Sequence, residues 1–158
     1  MKNPKKTSKQ QQEIRSEGSG RLNIQCIQTL ENEMKQLRER EHKLAERLVA
    51  EHLLVNELRK NPHFIDDSDR TCLAALVDDV YNGFTTRLKT RFPNLTEVDL
   101  QYCVLIKLRF TVPQIAVLSA ISPTSVYQQK SRMKKRILAV DSCLFGEGET
   151  LDSWLYEL

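Results

Sequence analysis

Apolar positions between Arg21 and Asn61 recur in two interleaved series seven residues apart. One holds Ile27, Met34, Leu48 and Val55, and the other holds Leu30, Leu37, Leu44 and Leu58. Glu41 and Glu51 occupy the two remaining places, so eight of ten seam positions are apolar, and neither Gly nor Pro interrupts the run. Alternating spacings of three and four with charge on the flanks predict one long helix over residues 22–60. Its seam residues, Ile27, Leu30, Met34, Leu37, Leu44, Leu48, Val55 and Leu58, would pair with a second copy in a coiled coil. The competing expectation is an amphipathic helix that packs on its own domain. Asn61-Pro62 ends the helix, because the residue before Pro is pushed out of the α region.

A second stripe, Leu73, Leu76, Val77, Val80, Phe84 and Leu88, predicts a connecting amphipathic helix within residues 63–92, with Asp66, Asp67, Ser68 and Asp69 at its N-terminus. That acidic cluster lacks the Gly and the distal Glu of a calcium-binding loop, so capping is the expected role. Residues 93–140 then hold three helix starts in close succession. Thr96 with Asp99 and Thr111 with Gln114 have capping-box spacing, Pro113 fits a first turn, and Ser122-Pro123 places a capping hydroxyl before an N-terminal Pro. The pattern predicts a short helix from Val112 to about Ala120, a tight connection through Ala120, Ile121 and Ser122, and a longer helix from Pro123 to about Val140. Leu100, Val104, Leu105 and Leu108, then Ile115, Ala116 and Leu118, then Val126, Met133 and Ile137 are expected to face inward, with Ile121 filling the turn. The fold class is therefore all-α: a long coiled-coil helix followed by a small helical domain containing a helix-turn-helix.

Composition and charge refine this outline. The 158 residues are 40% hydrophobic and 28% charged, with few Gly and Pro, which suits helices with a modest core and argues against an all-β fold. The net charge of +3 hides a strong segregation. Four Lys and no acid lie in residues 1–10, and residues 1–21 are expected to form a disordered basic tail. Between Leu100 and Val140 stand seven bases (Lys107, Arg109, Lys130, Arg132, Lys134, Lys135 and Arg136) and no acid. Residues 141–158 reverse this with five acids and no base, and form an acidic tail with a short helix bearing Leu151, Trp154, Leu155 and Leu158 on one face. That face is expected to pack on its own domain, with a protein partner as the alternative.

Candidate chemistry is sparse. Cys26, Cys72, Cys103 and Cys143 show no paired spacing; three of them sit in apolar helical patterns, and all four are expected to be reduced, which points to the cytoplasm. His42, His52 and His63 match no zinc spacing, so no metal and no cofactor is expected. No Ser/His/Asp set, Cys/His set, paired carboxylates or phosphate loop is present, which argues against an enzyme. No segment approaches the apolar length of a membrane span.

The exposed side of the last long helix carries Tyr127, Gln128, Ser131, Arg132, Lys134 and Lys135, preceded by Thr124 and Ser125 in its first turn. Gln, Ser, Tyr and Arg can read base edges, while Lys suits phosphates, so these eight residues are the candidate DNA-binding set. The segment resembles the LuxR-type (GerE-like) helix-turn-helix, a domain of the winged-helix-like superfamily. Leu95-Thr96-Glu97-Val98-Asp99 is similar to that family's opening L-T-x-x-E, and Thr111 to Ala116 to its S-x-x-E-I-A. Ile121-Ser122 with Ser125-Val126 is similar to its I-S-x-x-T-V, and Lys135 to Ile137 to its closing K-L. A branch common in Bacteroidetes regulators has a coiled-coil helix, then a helix ending near F-P-N-L-T, then this domain; here the motif is Phe92-Pro93-Asn94-Leu95-Thr96. The sequence departs from the family at Arg109, where a Gly is usual, and at Lys130, where many members carry an apolar residue. Longer relatives carry sensory repeats and a membrane span ahead of the coiled coil, which implies a short stand-alone regulator or a fragment of a longer one.

The resemblance implies a transcription regulator that binds double-stranded DNA as a homodimer, with a recognition helix at 123–139 in the major groove. Two other readings stand beside it. One is a sigma-factor region 4-like module that meets promoter DNA together with RNA polymerase. The other is a coiled-coil interaction protein whose helix-turn-helix is only structural.

Overall fold

A computed structural model describes the backbone of residues 6–158 and the side chains from residue 18 onward. Among the described residues there are eight helices and no strand: α1 (Lys6–Glu51), α2 (Leu53–Lys60), α3 (Asp67–Val80), α4 (Phe84–Arg91), α5 (Glu97–Lys107), α6 (Val112–Leu118), α7 (Pro123–Val140) and α8 (Leu151–Glu157). No helix among them is long and apolar enough to cross a membrane. The chain divides into two compact units, Met1–Leu44 and Ala45–Leu158.

In the first unit, the expected tail of residues 1–21 is corrected. Residues 1–5 lie outside the described part, but the chain is helical from Lys6. Lys, Gln, Glu and Arg are good helix formers, and extending an existing helix needs no new nucleus. Those two effects outweigh the ~1 kcal/mol that each of Gly18 and Gly20 costs inside a helix. Ile27, Leu30, Met34, Leu37 and Leu44 are all more than half exposed along α1.

The second unit starts with the last residues of α1, and here the expectation of one unbroken helix to residue 60 fails. The helix stops at Glu51, and His52 takes an extended conformation (φ −69°, ψ 127°) before α2. On a straight helix Val55 and Leu58 would lie about a third of a turn from the face of Ala45 and Val49. The break rotates them onto it, and all four are buried. Val55 and Leu58 are fully buried in the domain core, so neither belongs to a dimer seam, whereas Leu48 remains 59% exposed.

Residues 63–92 likewise form two helices rather than one. Asn82 (φ 53°) and Gly83 (φ 69°) both adopt the left-handed conformation, which ends α3 and which Gly tolerates without strain. Asp78 then caps α4: its carboxylate accepts from the Thr85 N–H (2.7 Å) and the Thr85 hydroxyl (2.6 Å). Through this turn the core still gains Leu73, Val77, Phe84 and Leu88, all buried.

Helix α5 is the centre of the unit and packs against α3, α4 and α8. Eight of its residues are buried, including Leu100, Tyr102, Cys103 and Ile106. On α8, Leu151, Trp154 and Leu155 are buried, with Trp154 edge-on to Phe92 (5.7 Å between centroids). The tail helix therefore packs on its own domain rather than offering this face to a partner. Of the cysteines only Cys103 is buried, and burial, with Asp99 nearby, pushes its thiol up to about 12. Cys26, Cys72 and Cys143 are exposed.

Candidate nucleic-acid interface

The three capping motifs form as their spacing demands. Thr96 and Asp99 close a capping box on α5, Thr111 and Gln114 close one on α6, and the Ser122 hydroxyl accepts from the Ser125 N–H (3.1 Å) at the start of α7. Helix α6 packs chiefly on α7. The link between them is held by the Ala120 N–H on the Val117 carbonyl and the Ile121 N–H on the Ala116 carbonyl, with Ala120 at φ 53°. Val126, Met133 and Ile137 are fully buried, so the register of α7 is fixed by three apolar anchors.

That register decides what the other side of α7 presents. Thr124, Tyr127, Gln128, Ser131, Arg132 and Lys135 are exposed. At 100° per residue they fill a strip about 140° wide that contains no acid. Ser125 is only half exposed; its hydroxyl lies 2.9 Å from that of Ser122, so it serves the cap. Lys134 is also half-buried. Its Nζ donates to the Glu149 carbonyl (2.9 Å) and lies 4.7 Å from the centre of the Phe145 ring, which ties it to the C-terminal segment.

Arg109 and Lys130 are each held by local contacts. Arg109 takes φ 61° just after α5, the conformation for which Gly is suited. Its guanidinium is held 3.0 Å from Glu46 and 4.2 Å from the centre of the Tyr156 ring. Lys130 points to α8, where its Nζ is 2.8 Å from Asp152 with only 15% of the side chain exposed.

The acid-free stretch from residue 100 to 140 is thus much less basic in space than in sequence. Lys107 is buried and donates to the Leu155 and Tyr156 carbonyls at the C-terminal end of α8 (3.0 and 2.9 Å). Burial lowers its pKa to about 8, helped by the like charges of Arg87 and Arg109. Arg136 donates to both oxygens of the fully buried Asp99 (2.7 and 2.6 Å), and Gln129 donates to the same carboxylate (2.6 Å). Arg132 and Lys135 form no ion pair among the described residues.

Sequence reasoning missed this clasp between Asp99 and α7. The signal was present: an acid at the third position of a capping box lies at the edge of a helix, where it can serve a neighbouring helix as well. No group of three or more His, Cys, Asp or Glu able to hold a metal occurs among the described residues. Set against known proteins, the chain matches no family model, no curated protein and no solved structure.

Proposed function

We propose that the chain is a sequence-specific DNA-binding transcription regulator that works as a homodimer in the cytoplasm. In this reading α6, the turn at 119–122 and α7 are a helix-turn-helix, and α7 enters the major groove. The observation that carries the reading is the exposed, acid-free strip on α7. Gln128 can bond adenine at two points, Arg132 can meet guanine or phosphate, and Lys135 suits phosphate. Tyr127 and Ser131 complete a surface that combines hydrogen bonding with positive charge, and Thr124 stands at its leading edge. The exposed leucines of α1 support the pairing of two copies, which would set two recognition helices on two half-sites.

The test is salt-dependent binding to duplex selected from a random pool. Arg132 and Lys135 in two copies supply about four phosphate contacts, so log K should fall with log salt at a slope of about −4. Release of Lys134 from the C-terminal segment would add two contacts and steepen the slope to about −5. An enriched motif with two related half-sites is the expected product. Affinity that barely changes between low and physiological salt would remove DNA as the partner. The exposed leucines would then be left as the working surface, and the chain would be a protein-interaction module.

A further inference from the structure

Between α3, α4 and α5 the second unit encloses a half-open cavity of about 710 Å³, away from the strip on α7. We propose that this cavity binds a neutral small molecule that has an apolar face and carries a carbonyl or hydroxyl oxygen. The proposal does not depend on DNA binding.

Size and lining come first. Small-molecule sites have volumes of roughly 300–1,000 Å³, are mainly apolar and place a few polar groups to fix orientation. Here Ile65, Leu73, Ala74, Leu100, Val104 and Leu105 form the apolar part of the wall, and neutral polar side chains, Thr71, Thr86 and Gln101 among them, line much of the rest. The charged groups at the rim argue against an ionic ligand, because they are already matched. Lys89 is 2.6 Å from Glu97, and Arg70 is 3.6 Å from Asp67. A charged ligand would have to displace one partner of such a pair, whereas a neutral one leaves both intact.

Tyr102 supplies the specific group. The residue is only 8% exposed and lines the cavity, yet its hydroxyl makes no hydrogen bond among the described residues. The hydroxyl is not sealed in either, since the one sealed, unpartnered polar side-chain atom among them is His52 Nδ1. A largely buried hydroxyl ordinarily finds a partner. An acceptor or hydroxyl oxygen on a bound molecule would supply it, with the rest of the molecule against the apolar wall.

Nile red, a neutral dye with a carbonyl acceptor, is a suitable probe. It should bind saturably, one dye per chain, with blue-shifted emission. Tyr102→Phe should weaken binding about fivefold, the value of one hydrogen bond, with the unfolding midpoint unchanged. Thr86→Trp, a change at an exposed lining position that the fold tolerates, and Ala74→Leu should each obstruct the cavity and weaken the dye further. Binding that survives both obstructing variants would place the dye elsewhere, for example on the exposed leucines of α1, and overturn the proposal. So would an absence of saturable binding, tighter binding of the anionic dye anilinonaphthalene sulfonate at the same place, or a Tyr102→Phe variant that binds as well as the wild type.

Discussion

The Asp99–Arg136 pair makes an asymmetric prediction. Asp99 is fully buried, and Arg136 reaches it from α7 with about a third of its side chain exposed. Arg136→Leu would remove both short hydrogen bonds and leave a buried carboxylate held by the Thr96 N–H (2.8 Å) and Gln129 Nε2 (2.6 Å) alone. Removing one partner of a buried pair costs about 3–5 kcal/mol. The two remaining donors place this case near the lower end, at about 3 kcal/mol. The opposite truncation differs. Asp99→Asn keeps an acceptor for the Thr96 N–H, lets the Gln129 amide turn over to accept from the new NH2, and leaves a guanidinium that water can reach, so its cost should be only about 1–2 kcal/mol. Urea unfolding followed by circular dichroism measures both, at one fixed protein concentration because dimerisation would shift the midpoint. A cost below about 1 kcal/mol for Arg136→Leu, or a larger cost for Asp99→Asn, would refute this account of the clasp. The same variant bears on function. An arginine spent on Asp99 is not a phosphate contact, so Arg136→Leu should leave the salt slope of DNA binding unchanged.

Three further outcomes are expected. The wild-type chain should sediment as a dimer at micromolar concentration, and Leu37→Glu with Leu44→Glu should give a folded monomer, since both residues are about 60% exposed and outside the core; a wild type that stays monomeric would remove the seam. Gln128→Ala should relax sequence preference by about 1–3 kcal/mol and spare non-specific affinity, whereas Lys135→Ala should weaken all duplexes alike and flatten the salt slope by about one per site. Equal losses on specific and random DNA for Gln128→Ala would show that the strip is not the reading face. Burial lowers the Lys107 pKa to about 8 in the folded chain, against ~10.4 unfolded, so the unfolded chain holds more protons between those values and stability from this site rises with pH across that window. Below about 8 both states are protonated and the penalty is constant, so the stability difference between wild type and Lys107→Met should shift in favour of wild type from about pH 8 to 10; a constant difference would refute it.

The parts of the fold legible in the sequence are those set by local chemistry. Thr96, Thr111 and Ser122 act within three residues of themselves, so spacing alone locates the starts of α5, α6 and α7. Val126, Met133 and Ile137 are likewise buried as their period requires. What spacing cannot show is where tertiary packing overrides a continuing pattern. The heptad runs through His52 without a sequence signal, yet burial of Val55 and Leu58 beside Val49 requires a change of phase there. Asn82-Gly83 did carry a signal, a dipeptide suited to positive φ, but the apolar stripe through Phe84 and Leu88 obscured it. On the candidate interface, exposure follows from the register of α7, while the loss of Ser125 to the cap and the engagement of Lys134 depend on local and tertiary contacts that periodicity does not encode.

Charge is where the linear and spatial readings differ most, and the difference sharpens the functional reading. A run of seven bases would attract any polyanion over a broad surface. In the folded chain Arg136, Lys130 and Arg109 are matched by Asp99, Asp152 and Glu46, and Lys107 is buried. Arg132 and Lys135 are left exposed beside Tyr127, Gln128 and Ser131, with Lys134 at the edge of the strip. A weak, narrow field favours partners that also satisfy the neutral hydrogen-bonding groups between the charges, because phosphate attraction alone would be modest. Such a surface discriminates by hydrogen bonding more than by charge. On the proposed reading the base-reading role would therefore fall to Gln128, and a sequence preference, rather than general affinity for nucleic acid, is the property that tests the proposal.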